Sequence, residues 1–245
     1  MIVQDGSDSF LGRQYARTMK QAYAFARSMA ASSGGGHALD CGSGAGHEWD
    51  VTFGASSRWS YRGLEWSRDQ VCAGVAKGLD IVSADLNHDL PVDAESKDVV
   101  IAYSVLEHLL MPCHFLHECR RVLSSGGRLV LLTPNIATYF TVFQLLMGRM
   151  PSSGPHPDSN RLLEAETDVR YGGFERDNVS VDTPQHRHLV VFSYRVLCGY
   201  LKQLGFSIVA ARGFGWYPLP GWMQAPFERM DAAHCHQMVL VCQKP

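Results

Sequence analysis

Residues 37–46 read His-Ala-Leu-Asp-Cys-Gly-Ser-Gly-Ala-Gly, a short apolar run that ends in an acid and three alternating glycines. The apolar run is typical of a buried strand. The glycines are typical of a tight turn into a helix, where backbone N–H groups can come close to a ligand. We therefore expect a strand, a glycine turn and a helix here, with a ligand bound at the turn.

Short apolar segments and helical segments alternate along the rest of the chain. An amphipathic helix is predicted at 7–31, before the turn. The later segments are a strand at 61–66, a helix at 67–77, strands at 80–86 and 97–103, a helix at 112–123, a strand at 128–133, helices at 139–147 and 193–204, and strands at 205–212 and 236–243. Short apolar strands that alternate with helices are typical of a parallel sheet covered on both faces. The pattern predicts an α/β fold with a doubly wound sheet.

The composition narrows the classes of function. The 245 residues are 46% hydrophobic, carry a formal net charge of -2 and have a pI near 6.6. No broad basic surface for nucleic acid or for an anionic membrane is therefore expected. The seven cysteines are scattered without a C-x-x-C pair, which predicts reduced thiols. Charged residues interrupt every apolar run before it reaches bilayer length, so we expect no transmembrane segment and a cytoplasmic protein.

Three kinds of ligand use a glycine turn of this sort, and the spacing separates them. A phosphate loop needs G-x-x-x-x-G-K-[ST], and no lysine follows these glycines. A dinucleotide turn needs G-x-G-x-x-G, and His47 stands where its third small residue would be, which disfavours a nicotinamide-dependent dehydrogenase. The remaining pattern, D-x-G-x-G-x-G, ends the strand in the carboxylate of Asp40, which attracts a cation. The turn therefore favours a ligand that carries an ammonium group.

The motifs that follow the turn resemble those of the class I S-adenosylmethionine-dependent methyltransferases of the small-molecule type. The family's first motif is similar to residues 39–46, and Glu65 and Asp85 end the next two predicted strands, where the family places acids. Other similar segments are 85–91, 96–100, 104–109 and 120–130, with weaker similarity at 188–192 and 204–206. The resemblance covers roughly residues 36–135. It implies a Rossmann-like, mostly parallel seven-stranded sheet with helices on both faces and an antiparallel last strand.

The resemblance also implies S-adenosyl-L-methionine as the cofactor. Asp40 would hold the methionine ammonium, Glu65 the two ribose hydroxyls and Asp85 the adenine amino group, because the carboxyl ends of parallel strands meet at one edge of a sheet. Each acid taken singly could instead cap the following helix, and Trp66 could stack on adenine or simply pack. The predicted cofactor-binding residues are Asp40, Gly42, Ser43, Gly44, Gly46, Glu65, Trp66, Asp85, Leu86 and Ser104.

The whole chain, residues 1–245, is expected to form one methyltransferase domain. Its expected parts are an N-terminal helix at 1–33, a cofactor-binding half at 34–135, an insertion or lid at 136–190 and the C-terminal half of the sheet at 191–245. The insertion is rich in Gly, Pro, Asp and Ser, and a loop of that length in a compact domain is usually functional or partly disordered.

Catalytic residues are harder to recognise, because methyl transfer from a sulfonium depends mainly on alignment, and a base is needed only for a hydroxyl or a protonated amine. The candidates are Glu107, His108, His186 and His188. We predict His108 and His188 as the catalytic residues. His108 would act as a base, with a helix cap as its alternative role, and His188 would line the acceptor pocket. Some methyltransferases bind a divalent metal through E-x-x-E-H at this place, but Ser104 replaces the first acid, so no metal is predicted.

The leading hypothesis is methyl transfer to a small-molecule, sugar or lipid-linked acceptor, with oxygen as the favoured atom. A second hypothesis is a noncatalytic, cofactor-binding partner subunit with the same fold. No nucleic-acid partner is expected, and a homodimer is left open. Aromatic residues in the insertion and in a loop at 213–223 could form the acceptor surface or a satellite core; they are Phe140, Phe143, Tyr171, Phe174, Trp216, Tyr217 and Trp222.

Overall fold

The computed structural model describes residues 10–54, 58–156 and 187–245. Within these ranges, seven strands form one sheet between two groups of helices. In chain order the elements are α1 (Phe10–Ala31), β1 (Gly36–Cys41), a π-helical turn (Trp49–Phe53), β2 (Trp59–Glu65), α2 (Arg68–Ala76), β3 (Ile81–Ser83), β4 (Lys97–Tyr103), a 3-10 turn (Leu106–His108), α3 (Pro112–Val122), β5 (Leu123–Pro134), α4 (Tyr139–Leu146), α5 (Tyr194–Gln203), β6 (Ser207–Phe214), α6 (Gly221–Met230), a 3-10 turn (Ala232–His234) and β7 (Gln237–Gln243).

The strand order confirms the predicted doubly wound sheet. It runs β3-β2-β1-β4-β5-β7-β6. Strands β1 to β5 pair in parallel, and β7 runs antiparallel to both β5 and β6. The chain first builds outward from β1 to one edge and then returns to place β4 on the other side of β1. Sheets of this kind bind ligands beyond the carboxyl ends of the strands at such a reversal.

Side chains of β1 alternate between two apolar cores. Leu39 joins the core formed with Phe115 of α3 and Leu197 of α5, whereas Ala38 joins the core against α1. Ala22 is among the small, fully buried residues of α1, which let this helix approach the sheet closely. Each large apolar side chain buried in this way stabilises the fold by roughly 1.5–3 kcal/mol. Burial on both faces explains why the central strands are continuously apolar.

Strand β3 is shorter than predicted. It covers Ile81–Ser83 rather than residues 80–86. Asp85 accepts hydrogen bonds from both the backbone and the side-chain nitrogen of Asn87, so the chain turns here instead of extending along β2.

Strand β5 begins earlier than predicted. Leu123 already pairs with Lys97, and the next pair in the register joins Arg128 to Val99. The Ser-Gly-Gly segment at 125–127, which predicted a break between α3 and the strand, is therefore an irregularity inside β5.

The predicted aromatic loop at 213–223 was partly wrong. Strand β6 continues to Phe214, and α6 begins at Gly221 directly after Pro220. The sequence concealed this helix because Pro226 lies inside it, and proline in a helix interior removes a backbone hydrogen bond.

The predicted insertion is described only in part. Its helix is confirmed as α4. Residues 157–186, which include the candidates His186, Tyr171 and Phe174, lie outside the described ranges. Among the helices that the structure describes, none combines the length and apolar character needed to cross a membrane.

Candidate active site

The glycine turn follows β1 at the reversal of the sheet order. Gly42, Gly44 and Gly46 have φ angles of 77°, 53° and 84°, which other residues rarely adopt. A β-carbon on Gly42 would lie 2.5 Å from the Val105 side chain, so this glycine is required for packing. A β-carbon on Gly44 would have no neighbour closer than the Gln70 side chain at 3.9 Å. The backbone at Gly44 therefore borders open space, as a ligand cradle requires.

Glu65 ends β2 and lies directly against this turn. One of its carboxylate oxygens accepts the Gly44 N–H at 2.8 Å, and the other accepts the Ser67 N–H at 2.7 Å. Ser43 donates its backbone N–H to the Leu64 carbonyl at 3.1 Å, which joins the turn to β2. Each Glu65 oxygen has further lone-pair capacity. The acid predicted to hold the ribose hydroxyls is thus beside the glycine turn.

Asp40 lies before the turn and is almost completely buried, with 3% of its surface exposed. The Tyr61 hydroxyl donates to its Oδ2 atom at 2.7 Å. Burial raises the pKa of Asp40 to about 7, the Tyr61 hydrogen bond acts in the opposite direction, and the charges of Glu48 and Glu65 add to the rise. A cation bound beside Asp40 would stabilise its ionised form. This carboxyl is therefore suited to an ammonium partner.

Asp85 is held in the loop after β3. Its Oδ1 atom accepts hydrogen bonds from the backbone and side-chain nitrogens of Asn87, both at 2.9 Å. The Asn87 side-chain oxygen accepts the backbone N–H groups of Leu110 and Met111 at 2.8 and 2.9 Å. Leu86 is buried in the core. This network joins the loop after β3 to the loop after β4, and the adenine contacts of Asp85 and Leu86 stay predictions.

Trp66 and Ser104 complete the predicted cofactor set. Trp66 is 60% exposed beside Glu65, so its ring is available for stacking on a flat ligand. Ser104 follows β4 with a φ of 54°, which is uncommon for a residue other than glycine. Its hydroxyl lies 3.4 Å from the hydroxyl of Tyr23. Tyr23 brings α1 to the end of β4, a contact that the sequence analysis missed.

A second group of side chains, Glu107, His108 and His188, lies beyond the end of β4. Each residue has one atom that could bind a metal, and these three atoms all lie within 4.8 Å of one another. The carbonyl oxygen of Glu107 accepts the Leu189 N–H at 2.6 Å and the Val190 N–H at 3.3 Å. This backbone pairing holds the segment around His188 against the loop after β4. The centroids of the His108 and His188 rings are 5.0 Å apart. The structure thus brings together the two histidines that the sequence predicts to be catalytic.

Hydrogen bonds to carbonyl groups indicate the tautomers of both histidines. His108 Nδ1 lies 2.9 Å from the carbonyl oxygen of Arg187, and His188 Nδ1 lies 2.6 Å from that of Ser153. A carbonyl only accepts, so each Nδ1 carries the proton and each Nε2 carries the lone pair. Burial lowers the pKa of His188 to about 3, which keeps this imidazole neutral at pH 7.

Glu107 is the buried acid of this group, with 2% of its surface exposed. The Thr133 hydroxyl donates to its Oε2 atom at 2.9 Å, and burial raises the pKa of Glu107 to about 7. Burial and then the charge of Glu107 raise the pKa of Tyr15 to about 12. The His156 ring lies 4.8 Å from that of His188. Tyr15 lies in the amphipathic helix predicted at 7–31 without a predicted role in the site, and nothing in the sequence pattern marked His156.

The predicted acceptor aromatics divide into packed and exposed residues. Tyr217 is 3% exposed and donates to the Thr18 hydroxyl at 2.8 Å, so it belongs to the core, as the alternative interpretation had it. Trp216 packs against aromatic rings of α4 and α6. Phe143 and Trp222 are 59% and 78% exposed. Phe140 is half-buried, so among the described aromatics of this set Phe143 and Trp222 are the most open.

Comparisons with known proteins agree with this arrangement. Residues 39–131 match the family described as "Methyltransferase domain". The matched segment, which holds the glycine turn and the ends of β2 and β4, supports a class I S-adenosylmethionine-dependent methyltransferase. S-adenosylmethionine is the cofactor of this family, and the open cradle at Gly44 and the buried acid Asp40 fit a ligand with a cationic amine.

The chain is 39% identical over 61 residues to the probable S-adenosylmethionine-dependent methyltransferase Rv3030 of Mycobacterium tuberculosis, across 25% of this chain and 22% of that protein. The match thus spans under a quarter of this curated relative. A methyltransferase from Mesorhizobium loti has a similar fold, with a TM-score of 0.56 and 17% identity over 91% of this chain and 97% of that chain. A chain of the complex between the Haloferax volcanii Trm112 methyltransferase activator and the putative methyltransferase has a TM-score of 0.54 and 17% identity, with full coverage of both chains.

Proposed function

We propose that the protein transfers a methyl group from S-adenosylmethionine to an oxygen atom of a small-molecule, sugar or lipid-linked acceptor. The observation that carries the proposal is the position of Glu107, His108 and His188 at the same edge of the sheet as the glycine turn. The two groups follow the carboxyl ends of β1 and β4, which are neighbouring parallel strands. Open α/β sheets bind their ligands at this edge. Cofactor and acceptor would therefore meet in one crevice.

The residues at the ends of β1 and β2 would hold and orient the cofactor. When bound, S-adenosylmethionine supplies a methyl group on a positively charged sulfur. Gly44 provides the open backbone for its close approach, Glu65 provides carboxylate oxygens beside that backbone, and Asp40 provides a negative charge for the ammonium. Correct alignment of the reacting atoms supplies a large part of the rate in such displacements.

The cluster beyond β4 favours an acceptor that must lose a proton. A hydroxyl group is a poor nucleophile until a base takes its proton. The Nε2 atoms of His108 and His188 carry lone pairs, because both Nδ1 atoms contact carbonyl oxygens. Burial lowers the pKa of His188 to about 3, so His188 stays neutral and is a weak proton acceptor at pH 7. His108 is therefore the proposed base, and His188 would position the acceptor. These features support oxygen as the methylated atom.

The surface of α4 favours an acceptor with an apolar part. Its polar residues Thr141 and Gln144 are both 3% exposed, whereas Val142, Leu145 and Leu146 are 50%, 56% and 81% exposed. A surface helix usually has the reverse arrangement, with its apolar side inward. Exposed apolar surface of this kind marks binding sites. A lipid-linked or otherwise partly apolar acceptor would fit beside this helix.

The proposal can be tested with the full-length protein, labelled S-adenosylmethionine and a cell extract. Untargeted mass spectrometry should find a labelled product that has gained one methylene group at an oxygen. The Glu65→Ala variant should give no product, whereas His117→Ala, which changes an exposed residue of α3, should give as much as the wild type. Cofactor binding without any labelled product would contradict the proposal and support the noncatalytic partner subunit.

A further inference from the structure

We propose that Glu107, His108 and His188 bind one divalent transition-metal cation. The sequence predicts no metal, because Ser104 stands where a ligating acid would be needed. The structure supplies another ligand from a distant segment, since the pairing of Leu189 with Glu107 brings His188 to this place. One potential ligand atom from each of the three residues lies within 4.8 Å of the others. Two imidazoles and one carboxylate are a common ligand set for a catalytic metal.

Backbone groups already orient both imidazoles as a metal site requires. Metal-ligating histidines almost always donate their second ring N–H to a carbonyl or a carboxylate, which sets the tautomer and the ring orientation. His108 Nδ1 has such a contact with the Arg187 carbonyl at 2.9 Å, and His188 Nδ1 has one with the Ser153 carbonyl at 2.6 Å. The same pattern on both rings leaves both lone pairs on Nε2. Both histidines, from segments far apart in the chain, would thus bind the cation through Nε2.

The acid of the site is oriented in the same manner. Glu107 receives a hydrogen bond from the Thr133 hydroxyl on Oε2 at 2.9 Å. Its side chain is buried, and a buried carboxylate is normally paired with a cation or coordinates a metal. The described ion pairs include no partner for Glu107. A bound cation would compensate its charge.

The chemistry of the ligands selects the type of cation. Imidazole nitrogens suit Zn²⁺, Fe²⁺, Co²⁺ and Ni²⁺, whereas Mg²⁺ and Ca²⁺ prefer oxygen ligands. With metal–nitrogen bonds of about 2.1 Å in tetrahedral geometry, ligand atoms lie about 3.4 Å apart. The three atoms, now within 4.8 Å, would therefore need to draw closer by a modest side-chain movement. His156, whose ring neighbours that of His188, would help to hold His188 during this movement.

A cation at this site would have a direct use in methyl transfer. This use rests on the proposed function, whereas the metal site itself is independent of it. Three protein ligands leave a coordination position open for an acceptor hydroxyl. The cation would increase the acidity of that hydroxyl, whose proton would pass to water. The oxygen would then form a bond to the methyl carbon as the carbon–sulfur bond breaks, and S-adenosylhomocysteine would leave with that electron pair on its sulfur. A lone pair that binds a metal cannot also take a proton. The histidines would then position the acceptor oxygen, and the cation would replace them as the activating group.

The experiment is a metal titration of the full-length protein after treatment with a chelator and without cofactor. Co²⁺ should give visible absorption bands that saturate at one equivalent, and Zn²⁺ should raise the temperature of thermal unfolding. The affinity for Co²⁺ should fall at least tenfold in His188→Ala and in Glu107→Gln. Glu107→Gln keeps a side-chain oxygen that can accept the Thr133 hydrogen bond, so it tests the effect of the carboxylate charge alone. His117→Ala should bind Co²⁺ as the wild type does.

Two results would overturn the metal site: no saturable Co²⁺ binding by the wild type, or binding that His188→Ala and Glu107→Gln leave unchanged. The increase in the unfolding temperature of the wild type with Zn²⁺ is measured without any variant. It therefore still tests the metal site if a variant fails to fold. A methyl-transfer assay in the presence of chelator separates the two proposals. Transfer that continues with metal-stripped protein would contradict the metal's catalytic use and leave methyl transfer itself supported.

Discussion

The cofactor side and the acceptor side of the candidate site are built in different ways. On the cofactor side, the turn at 42–46 and Glu65 belong to neighbouring strands and meet through a single hydrogen bond of 2.8 Å from Gly44. On the acceptor side, Glu107 and His108 meet His188, which comes from a separate segment held by the Leu189 N–H at 2.6 Å. Short-range sequence can specify the first arrangement, whereas only the complete fold produces the second.

This difference predicts that binding and turnover can be separated by mutation. Changes on the cofactor side should alter the affinity for S-adenosylmethionine, and changes on the acceptor side should alter turnover alone. The expected effects below run from the largest to the smallest.

The largest effect is expected for His188→Ala. Turnover should fall by about 10²-fold or more, because the acceptor oxygen would lose a group that positions it, either directly or through a cation. The affinity for S-adenosylmethionine, measured by calorimetry, should stay within about twofold of wild type. His117→Ala is the matched control. A comparable loss of cofactor affinity in His188→Ala would show that the two sides are not separate.

The next effect concerns the cradle at Gly44. Gly44→Ala should weaken S-adenosylmethionine binding by about 10–100-fold, because the methyl group would occupy the open space that the ligand needs. Gly78→Ala is a matched control: Gly78 also has a positive φ, of 82°, and open space around its Cβ position. Both variants should lose similar stability, of about 1 kcal/mol. Equal cofactor affinity in the two variants would contradict the assigned cradle.

Asp40 should make cofactor binding depend on pH. Its pKa of about 7 in the folded protein means that the carboxyl is protonated below neutral pH and cannot pair with an ammonium group. The affinity should therefore fall by up to about tenfold per pH unit below pH 7 and level off above it. Calorimetry from pH 5 to pH 8 measures this. A flat profile would remove Asp40 from the ammonium site.

Asp40 should also make the stability of the ligand-free protein depend on pH, but this stability should fall as the pH rises, whereas the cofactor affinity should increase. Its pKa in the folded protein lies above the ordinary value of 3.8 for an aspartate, so the folded state binds the proton more tightly. The resulting stabilisation is present below about pH 4 and is lost as the pH rises through 7. Asp40→Asn should thus raise the unfolding temperature at pH 8, by about 2–4 °C for each kcal/mol recovered, and weaken cofactor binding. A lower unfolding temperature in Asp40→Asn at pH 8 would contradict this sign.

The smallest effect is expected for Tyr61→Phe. The variant removes the hydrogen bond of 2.7 Å to Asp40, which favours the ionised carboxyl. The midpoint of the pH dependence should rise by about one unit, and the affinity at pH 7 should fall about sevenfold, since a hydrogen bond to a charged group contributes at least about 1.5 kcal/mol. An unchanged midpoint would mean that Tyr61 has only a packing role.

The sequence predicted the parallel strands and their order of appearance because each contains a short apolar segment, most clearly in β4 and β5. It predicted the glycine turn because its pattern is local. It located the acids Asp40 and Glu65 at strand ends for the same reason. It did not predict α6, since Pro226 disguises a helix whose formation depends on tertiary packing. It also missed Tyr23 and His156, because their places beside Ser104 and His188 depend on contacts between distant segments.

The prediction that no metal binds depended on the same restriction, because contacts between distant segments are not visible in the sequence. Sequence reasoning examined Ser104, Glu107 and His108 as one linear motif and found an acid missing. The ligand that completes the group, His188, is brought in by backbone hydrogen bonds to Glu107. Such a partner cannot be read from spacing along the chain.

Calorimetric titration of S-adenosylmethionine into the wild type, Glu65→Ala and Glu107→Gln tests the central claim most directly. The account predicts binding of one equivalent to the wild type, loss of at least about 100-fold in affinity for Glu65→Ala, and nearly wild-type binding for Glu107→Gln, whose turnover should nevertheless be strongly reduced. Failure of the wild type to bind, or binding by Glu65→Ala that matches the wild type, would contradict it.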